Sequence, residues 1–227
     1  LEDFSEISIA GPGFINLKFS EKNYQRLILS ILDKGQKYGS NNKNETYNIE
    51  FVSANPTGPM HVGHSRGAIF GDVLSNLLTF NGNTVTKEYY INDYGNQIVN
   101  FTESVFYRLR EIQFKEKFPN NENLYPGDYV IDIAKNILKE YPKIDLNNFK
   151  KNFDMLSEQS LKHSMSLIKL DLKSLGISHD NFVSEKVLVE KNLVEKVIHD
   201  LREKKFVEEG FLDPPKGEEK MDWKKIK

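Results

Sequence analysis

Hydrophobic positions along this chain change period several times, and each change marks an element. Ile7-Ser8-Ile9-Ala10 and Phe14-Ile15-Asn16-Leu17-Lys18-Phe19 flank Gly11-Pro12-Gly13, which predicts a hairpin of two short strands. Ser20 stands where a helix cap is needed, ahead of Tyr24, Leu27, Ile28, Ile31 and Leu32 at helical spacing, and Gly35 occupies the C-terminal capping position. That apolar face is expected to pack on something. Residues 36–46 are polar and poor in branched side chains, which makes them the linker candidate. Beyond them Tyr47 to Val52 reads as a strand, Ser53 to Met60 as a loop, His64 to Phe80 as a helix and Thr84 to Ile91 as a second strand. The helix carries Ile69, Val73, Leu74, Leu77 and Leu78 and ends at Gly82. Such a β-loop-α-β unit predicts a right-handed crossover between parallel strands.

Three longer helical patterns follow. One runs from Asn96 to about Lys117 through Ile98, Phe101, Val105 and Leu109, and a second starts at Asp128 and stops before Pro142. The third covers residues 146–175, with Phe149, Phe153, Leu156, Leu161, Met165, Ile168 and Leu172, and closes at Gly176. Phe182-Val183 is a short strand candidate and Asn192 to Lys205 a helix; Phe206-Val207 with Phe211-Leu212 suggests a hairpin about Gly210.

Composition bounds the chemistry. The 227 residues are 38% hydrophobic, enough for a sizeable core. Lys and Arg total 31 against 33 Asp and Glu, so a formal charge of −2 leaves any phosphate-binding surface to local clustering. The absence of cysteine removes disulfides, thiolate metal sites and a thiol nucleophile, and makes a reducing cytoplasm the expected compartment. No apolar run approaches the roughly 18 residues of a membrane span, and no membrane association is expected. The start at Leu1-Glu2-Asp3 and the stop at Trp223-Lys224-Lys225-Ile226-Lys227 are read as the ends of a fragment.

The informative stretch is Ser53-Ala54-Asn55-Pro56-Thr57-Gly58-Pro59-Met60-His61-Val62-Gly63-His64. It follows a strand and opens a helix at the first crossover, where free backbone N–H groups and the positive end of the helix dipole favour phosphate. Gly63 lets a ring lie against the backbone, and His61 and His64, three apart, can point to one side. Two imidazoles beside a triphosphate can donate to the α- and β-phosphates as charge builds, which suits adenylyl transfer. No Gly-x-x-x-x-Gly-Lys accompanies the turn, so γ-phosphate chemistry lacks support. A bare His-x-x-His would equally suit a metal pair or surface histidines; the full twelve-residue string is what favours nucleotide.

That string resembles the extended HIGH signature of class I aminoacyl-tRNA synthetases, in the form typical of bacterial-type arginyl-tRNA synthetases. Ile9-Ala10-Gly11-Pro12-Gly13-Phe14-Ile15-Asn16 is similar to the end of that family's N-terminal tRNA-contacting domain. Tyr89-Tyr90-Ile91-Asn92-Asp93-Tyr94-Gly95-Asn96-Gln97-Ile98 is similar to the segment after its second Rossmann strand. The helix around Val194 to Lys204 with Gly210-Phe211-Leu212 also fits, and the likeness is weakest between about residues 112 and 160.

The resemblance implies an α/β fold, a Rossmann-like parallel sheet carrying the HIGH motif and a mostly helical insertion at about 100–180, preceded by the tail of a small α+β N-terminal domain. Residues 1–40 would end that N-terminal domain and residues 45–227 would form an incomplete catalytic domain. It implies that His61, Gly63 and His64 line the ATP site, with the two histidines catalytic. Glu50, Ser53, Asn55 and His64 would contact the arginine substrate, with Asp93 and Gln97 in the same pocket. L-arginine, ATP with Mg2+, and tRNA(Arg) are the implied substrates, no protein metal site is expected, and a monomer is expected. Missing from the chain are a KMSKS-like loop and an anticodon-binding helical domain, so the chain alone is expected not to make arginyl-adenylate at a useful rate.

Several residues keep two readings. Glu50 could pair with a guanidinium or an ammonium, or with a neighbouring Lys. Asp93 could cap the next helix, serve the site, or do both. Asn16 could approach the tRNA elbow or make a plain turn contact. His163, His179 and His199 read as structural or solvent-facing, and the Lys-rich end from Lys216 to Lys227 reads as a solvated segment. Competing with the arginine-specific ligase are another class I synthetase, a small HxGH nucleotidyltransferase, and a noncatalytic tRNA- or nucleotide-binding module. The Asn-Pro-Thr-Gly-Pro spacer and the Asn-Asp-x-Gly-Asn-Gln segment argue against the first two.

Overall fold

The computed structural model describes residues 3–208 and Gly210. They divide into two compact units: one takes the described residues up to Ile49 together with Phe70–Lys87, the other takes Glu50–Ile69 and the described residues from Glu88 onward.

In the first unit, β1 (Phe4–Ala10) and β2 (Phe14–Phe19) pair antiparallel around Gly11 and Gly13, with Ser8 opposite Asn16. Helix α1 (Glu21–Lys34) begins where the Ser20 side chain accepts from the Asn23 N–H at 3.3 Å, and ends where the Gly35 N–H reaches Ile31 C=O at φ +50°. The helix is as the spacing predicts, but its apolar face is exposed: Ile28 and Leu32 are 55% and 72% accessible. The stretch expected to be a linker is anchored. Lys43 and Asn44 donate backbone bonds to Asn81 and Gly82 at 3.1 and 3.3 Å, and the Glu45 N–H donates to the Asn83 side chain at 3.1 Å. Gly82 sits at φ +86°, and a Cβ there would lie 2.5 Å from the Asn41 carbonyl, so the turn needs glycine.

The sheet has the order β3 (Thr46–Glu50), β4 (Thr84–Ile91), β5 (Asn181–Ser184), with β4 and β5 parallel and Tyr89 opposite Phe182. Helix α2 (Val62–Phe80) connects β3 to β4, and the division between units falls within α2 and β4. The residues α2 buries are small, Ala68, Gly71 and Ser75, while Phe70, Val73 and Leu77 of its apolar stripe are exposed.

The main core lies in the second unit. Helices α3 (Asn96–Phe114), α4 (Asp128–Glu140) and α5 (Phe149–Ser174) pack on each other in the crossover from β4 to β5. Phe101, Val105, Leu109, Val130, Ile137 and Leu156 are fully buried there, the residues that helical period marks. Helix α3 stops at Phe114 because Lys115 turns left-handed at φ +62°. Two shorter helices follow β5, α6 (Glu185–Glu190) and α7 (Leu193–Glu203). Phe206 and Val207 form no strand; Phe211, Leu212 and the Lys-rich end lie outside the described residues. Among the described residues no helix is long and apolar enough to cross a membrane.

Candidate functional site

Parallel strands deliver their carboxyl ends to one edge, and the loops leaving β3 and β4 carry most of the expected residues to it. Strand β3 ends at Glu50, two residues short of the expected Val52, because Val52 and Ser53 both take left-handed backbone, φ +70° and +42°. For a β-branched residue this is a true outlier, costing on the order of 1–3 kcal/mol unless the surroundings hold it. Ser53 supplies the holding. Its hydroxyl donates to the Glu50 carboxylate and accepts the Tyr90 N–H at 3.0 Å, so β3, the loop and β4 meet on one oxygen.

Three amides are chained next to it. The Asn92 amide donates to Asn55 Oδ1 at 2.9 Å, and Asn55 Nδ2 donates to Gln97 Oε1 at 2.8 Å. Asn55 is exposed and keeps a second N–H and a second lone pair for a ligand. Asn92 also reaches the Ser53 carbonyl at 3.4 Å, so it ties the two clusters together.

His61 and His64 stack face to face, ring centroids 3.7 Å apart and planes 18° from parallel. His61 Nδ1 accepts the Gly63 N–H at 3.1 Å and lies 3.4 Å from the His64 N–H, while His64 Nδ1 faces the His61 N–H at 3.4 Å. An Nδ1 that accepts a backbone N–H leaves Nε2–H as the ring's donor toward a ligand. Burial, then the neighbouring His61, lowers the His64 pKa, which keeps the stacked pair from doubling its charge. The same bonds explain why α2 starts at Val62 rather than at His64: His61 satisfies first-turn N–H groups that would otherwise be open to a phosphate. Gly63 is required by contact, since a Cβ there would stand 2.9 Å from His61 Cε1.

Asp93 spends its bonds on other partners. Its Oδ2 accepts the Ser184 hydroxyl at 2.6 Å and its Oδ1 the Lys186 N–H at 2.8 Å, so it caps α6 across the sheet, whereas α3 has Gly95 at its N-cap and no side-chain cap. Three residues outside the expected site also touch the loop. The Tyr89 hydroxyl donates to Ala54 C=O at 2.8 Å, the Tyr129 hydroxyl to Thr57 C=O at 2.8 Å, and the Met60 N–H donates to Asp171 Oδ2 at 3.0 Å. Burial pushes the Tyr89 phenol far up and the Tyr129 phenol up to about 12, so both stay donors at neutral pH. His163 stands 3.3 Å from Glu140, His199 3.5 Å from Glu203, and the His179 ring packs 4.2 Å from that of Phe51. Among the described residues no group of three or more His, Asp or Glu side chains is arranged to hold a metal ion.

A parallel sheet with a glycine-spaced histidine pair at a helix start on its carboxyl edge is the arrangement of a nucleotide-binding α/β core. The family model for the class I (R) tRNA synthetases, catalytic domain, matches residues 27–210, and the chain belongs to this family. It is 53% identical over 225 residues to an arginine–tRNA ligase of Pelagibacter ubique and 45% identical over 227 residues to one of Ehrlichia ruminantium. Those matches cover 98% and 99% of this chain but 39% of either relative. A solved structure from Campylobacter jejuni described as an arginyl tRNA synthetase superposes with TM-score 0.74 at 32% identity, covering 85% of this chain and 42% of that one. An arginyl-tRNA synthetase of Thermus thermophilus, 18% identical, shares the fold at TM-score 0.58.

Proposed function

We propose that the chain carries the ATP- and arginine-facing half-site of an arginine–tRNA ligase. In that reaction the arginine carboxylate attacks the α-phosphate of Mg·ATP, pyrophosphate leaves, and the arginyl group of the adenylate passes to the 3′ end of tRNA(Arg) with release of AMP. The observation that carries this reading is the stacked His61/His64 pair, with each Nδ1 turned onto a backbone N–H so that Nε2–H is left as the donor. Donors of that kind, fixed in place beforehand, can stabilise charge on phosphate oxygens without reorganising. Gly63 leaves the room the rings need, and magnesium arrives on the triphosphate. Glu50, Ser53, Asn55 and Gln97 would hold arginine: the Glu50 carboxylate suits a guanidinium or ammonium, and the amides suit the α-amino acid head. Asp93 would act at one remove, by setting the position of α6. The 1–40 region would serve tRNA contact, and residues 45–227 catalysis, in a cytoplasmic monomer.

Separate titrations of L-arginine and Mg·ATP into the 227-residue chain, with and without tRNA(Arg), test the reading. Arginine is expected to raise the melting temperature where glutamine, glutamate and cysteine do not, and His61→Ala is expected to lose ATP but not arginine selectivity. Equal shifts for all four amino acids, or no binding of ATP, would overturn it.

A further inference from the structure

The segment from Asn55 to His61 has little structure of its own: a turn bond from Thr57 N–H to Asn55 C=O at 2.8 Å folds it back, and no helix or strand includes it. Its remaining restraints come from outside. Tyr89 holds Ala54 from the sheet, and the Asn92 and Gln97 side chains hold that of Asn55; farther along, the holds come from the helices between β4 and β5: Tyr129, in the first turn of α4, at Thr57, and Asp171, near the end of α5, at Met60. The second of these falls on the residue directly before His61.

We infer that Tyr129 and Asp171 are positioning residues for the histidine pair: through these two bonds, α4 and α5 fix the loop so that His61 and His64 meet a bound triphosphate already aligned. The inference rests on the nucleotide reading of that pair. Its physical basis is that a loop left free before binding must be ordered by the ligand, and that ordering subtracts from affinity. The fit around Tyr129 is specific. A Cβ on Gly58 would come within 3.1 Å of its ring and hydroxyl, so the loop approaches the ring edge as closely as glycine allows. The Tyr129 ring packs against the buried cluster of Phe101, Val105, Val130, Ile137 and Leu156, which is apolar, so removing the hydroxyl alone leaves that packing in place.

Hydrogen exchange on the ligand-free chain separates the two roles. Tyr129→Phe keeps the ring and removes the hydroxyl; Asp171→Ala removes the acceptor; Asp171→Asn keeps an acceptor oxygen. Losing one such bond is expected to speed exchange of the 54–61 segment about fivefold in Tyr129→Phe and Asp171→Ala, with Asp171→Asn near wild type and α3 to α5 unchanged. The same two variants are expected to weaken Mg·ATP binding about fivefold, again restored by Asp171→Asn. Unchanged loop exchange, or acceleration spread through α4 and α5, overturns the inference. Loop-confined acceleration in a chain that binds no ATP leaves the brace standing and overturns the nucleotide reading instead.

Discussion

Gly63→Ala separates the stability of the helix start from its chemistry. The added Cβ would lie 2.9 Å from His61 Cε1 and 3.0 Å from His61 Nδ1, both in a ring already stacked 3.7 Å from His64. The ring must swing away, which breaks its bond from the Gly63 N–H at 3.1 Å and unstacks the pair. Alanine gains up to roughly 1 kcal/mol over glycine in a helix. Against this stand about 0.5–1.5 kcal/mol for the displaced ring and about 0.5–1.5 kcal/mol for the lost bond. The fold should therefore change little, by about 1 kcal/mol. ATP affinity has no compensating gain: realigning one donor at about 1–2 kcal/mol weakens binding roughly 5- to 30-fold. Thermal melts and calorimetric titration of Mg·ATP on the same samples check both numbers, and nitrogen NMR of His61 reports whether Nδ1 still accepts. A Gly63→Ala protein that binds ATP like wild type, with its His61 tautomer unchanged, would refute the argument that Gly63 makes room for the ring.

Other consequences follow from the same geometry. Because the folded-state pKa of His64 is lowered below the ordinary 6.5, the unfolded chain takes up the proton first. Its contribution to stability is complete above pH 6.5 and is lost as pH falls below it; denaturant midpoints from about pH 8 to about pH 5 should show this slope flattened in His64→Gln, and an identical slope would count against it. Ser184→Ala removes a donor to Asp93 and the side-chain cap that accepts from Val187 N–H at 3.2 Å. A stability loss of about 1 kcal/mol is expected, with Mg·ATP affinity unchanged; a selective loss of ATP binding would place Asp93 closer to the nucleotide than its bonds to α6 suggest.

Periodicity exposed most of the elements, because a helix that packs must carry its apolar residues at a fixed spacing. It worked best in α3, α4 and α5, whose stripes meet each other and vanish from solvent. For α1 and α2 the same spacing located the helix correctly yet misjudged the burial. The α2 stripe of Val73 and Leu77 is open while Ala68 and Ser75 are buried, since small residues allow close approach and leave no trace in an apolar pattern. Strand β3 ended early for a backbone reason: nothing in the letters Val52 and Ser53 announces positive φ, because those residues adopt it only where surrounding bonds impose it.

The site shows the same limit at longer range. Its loop residues were legible because they sit together in one string, and the second amide cluster because Asn92 and Gln97 follow the next strand. Tyr129 and Asp171 were not, because 72 residues separate Tyr129 from Thr57 and 111 separate Met60 from Asp171. Each reads locally as an ordinary helix position, one beside the buried Val130 and the other beside the buried Leu172. Only folding turns these neighbours of the core into holds on the loop. The region where the family resemblance is weakest, about residues 112–160, thus contains one of the two helices that touch the most recognisable string in the chain. A recognisable motif supplies the groups for the chemistry, but the exactness of their placement depends on partners the motif does not contain.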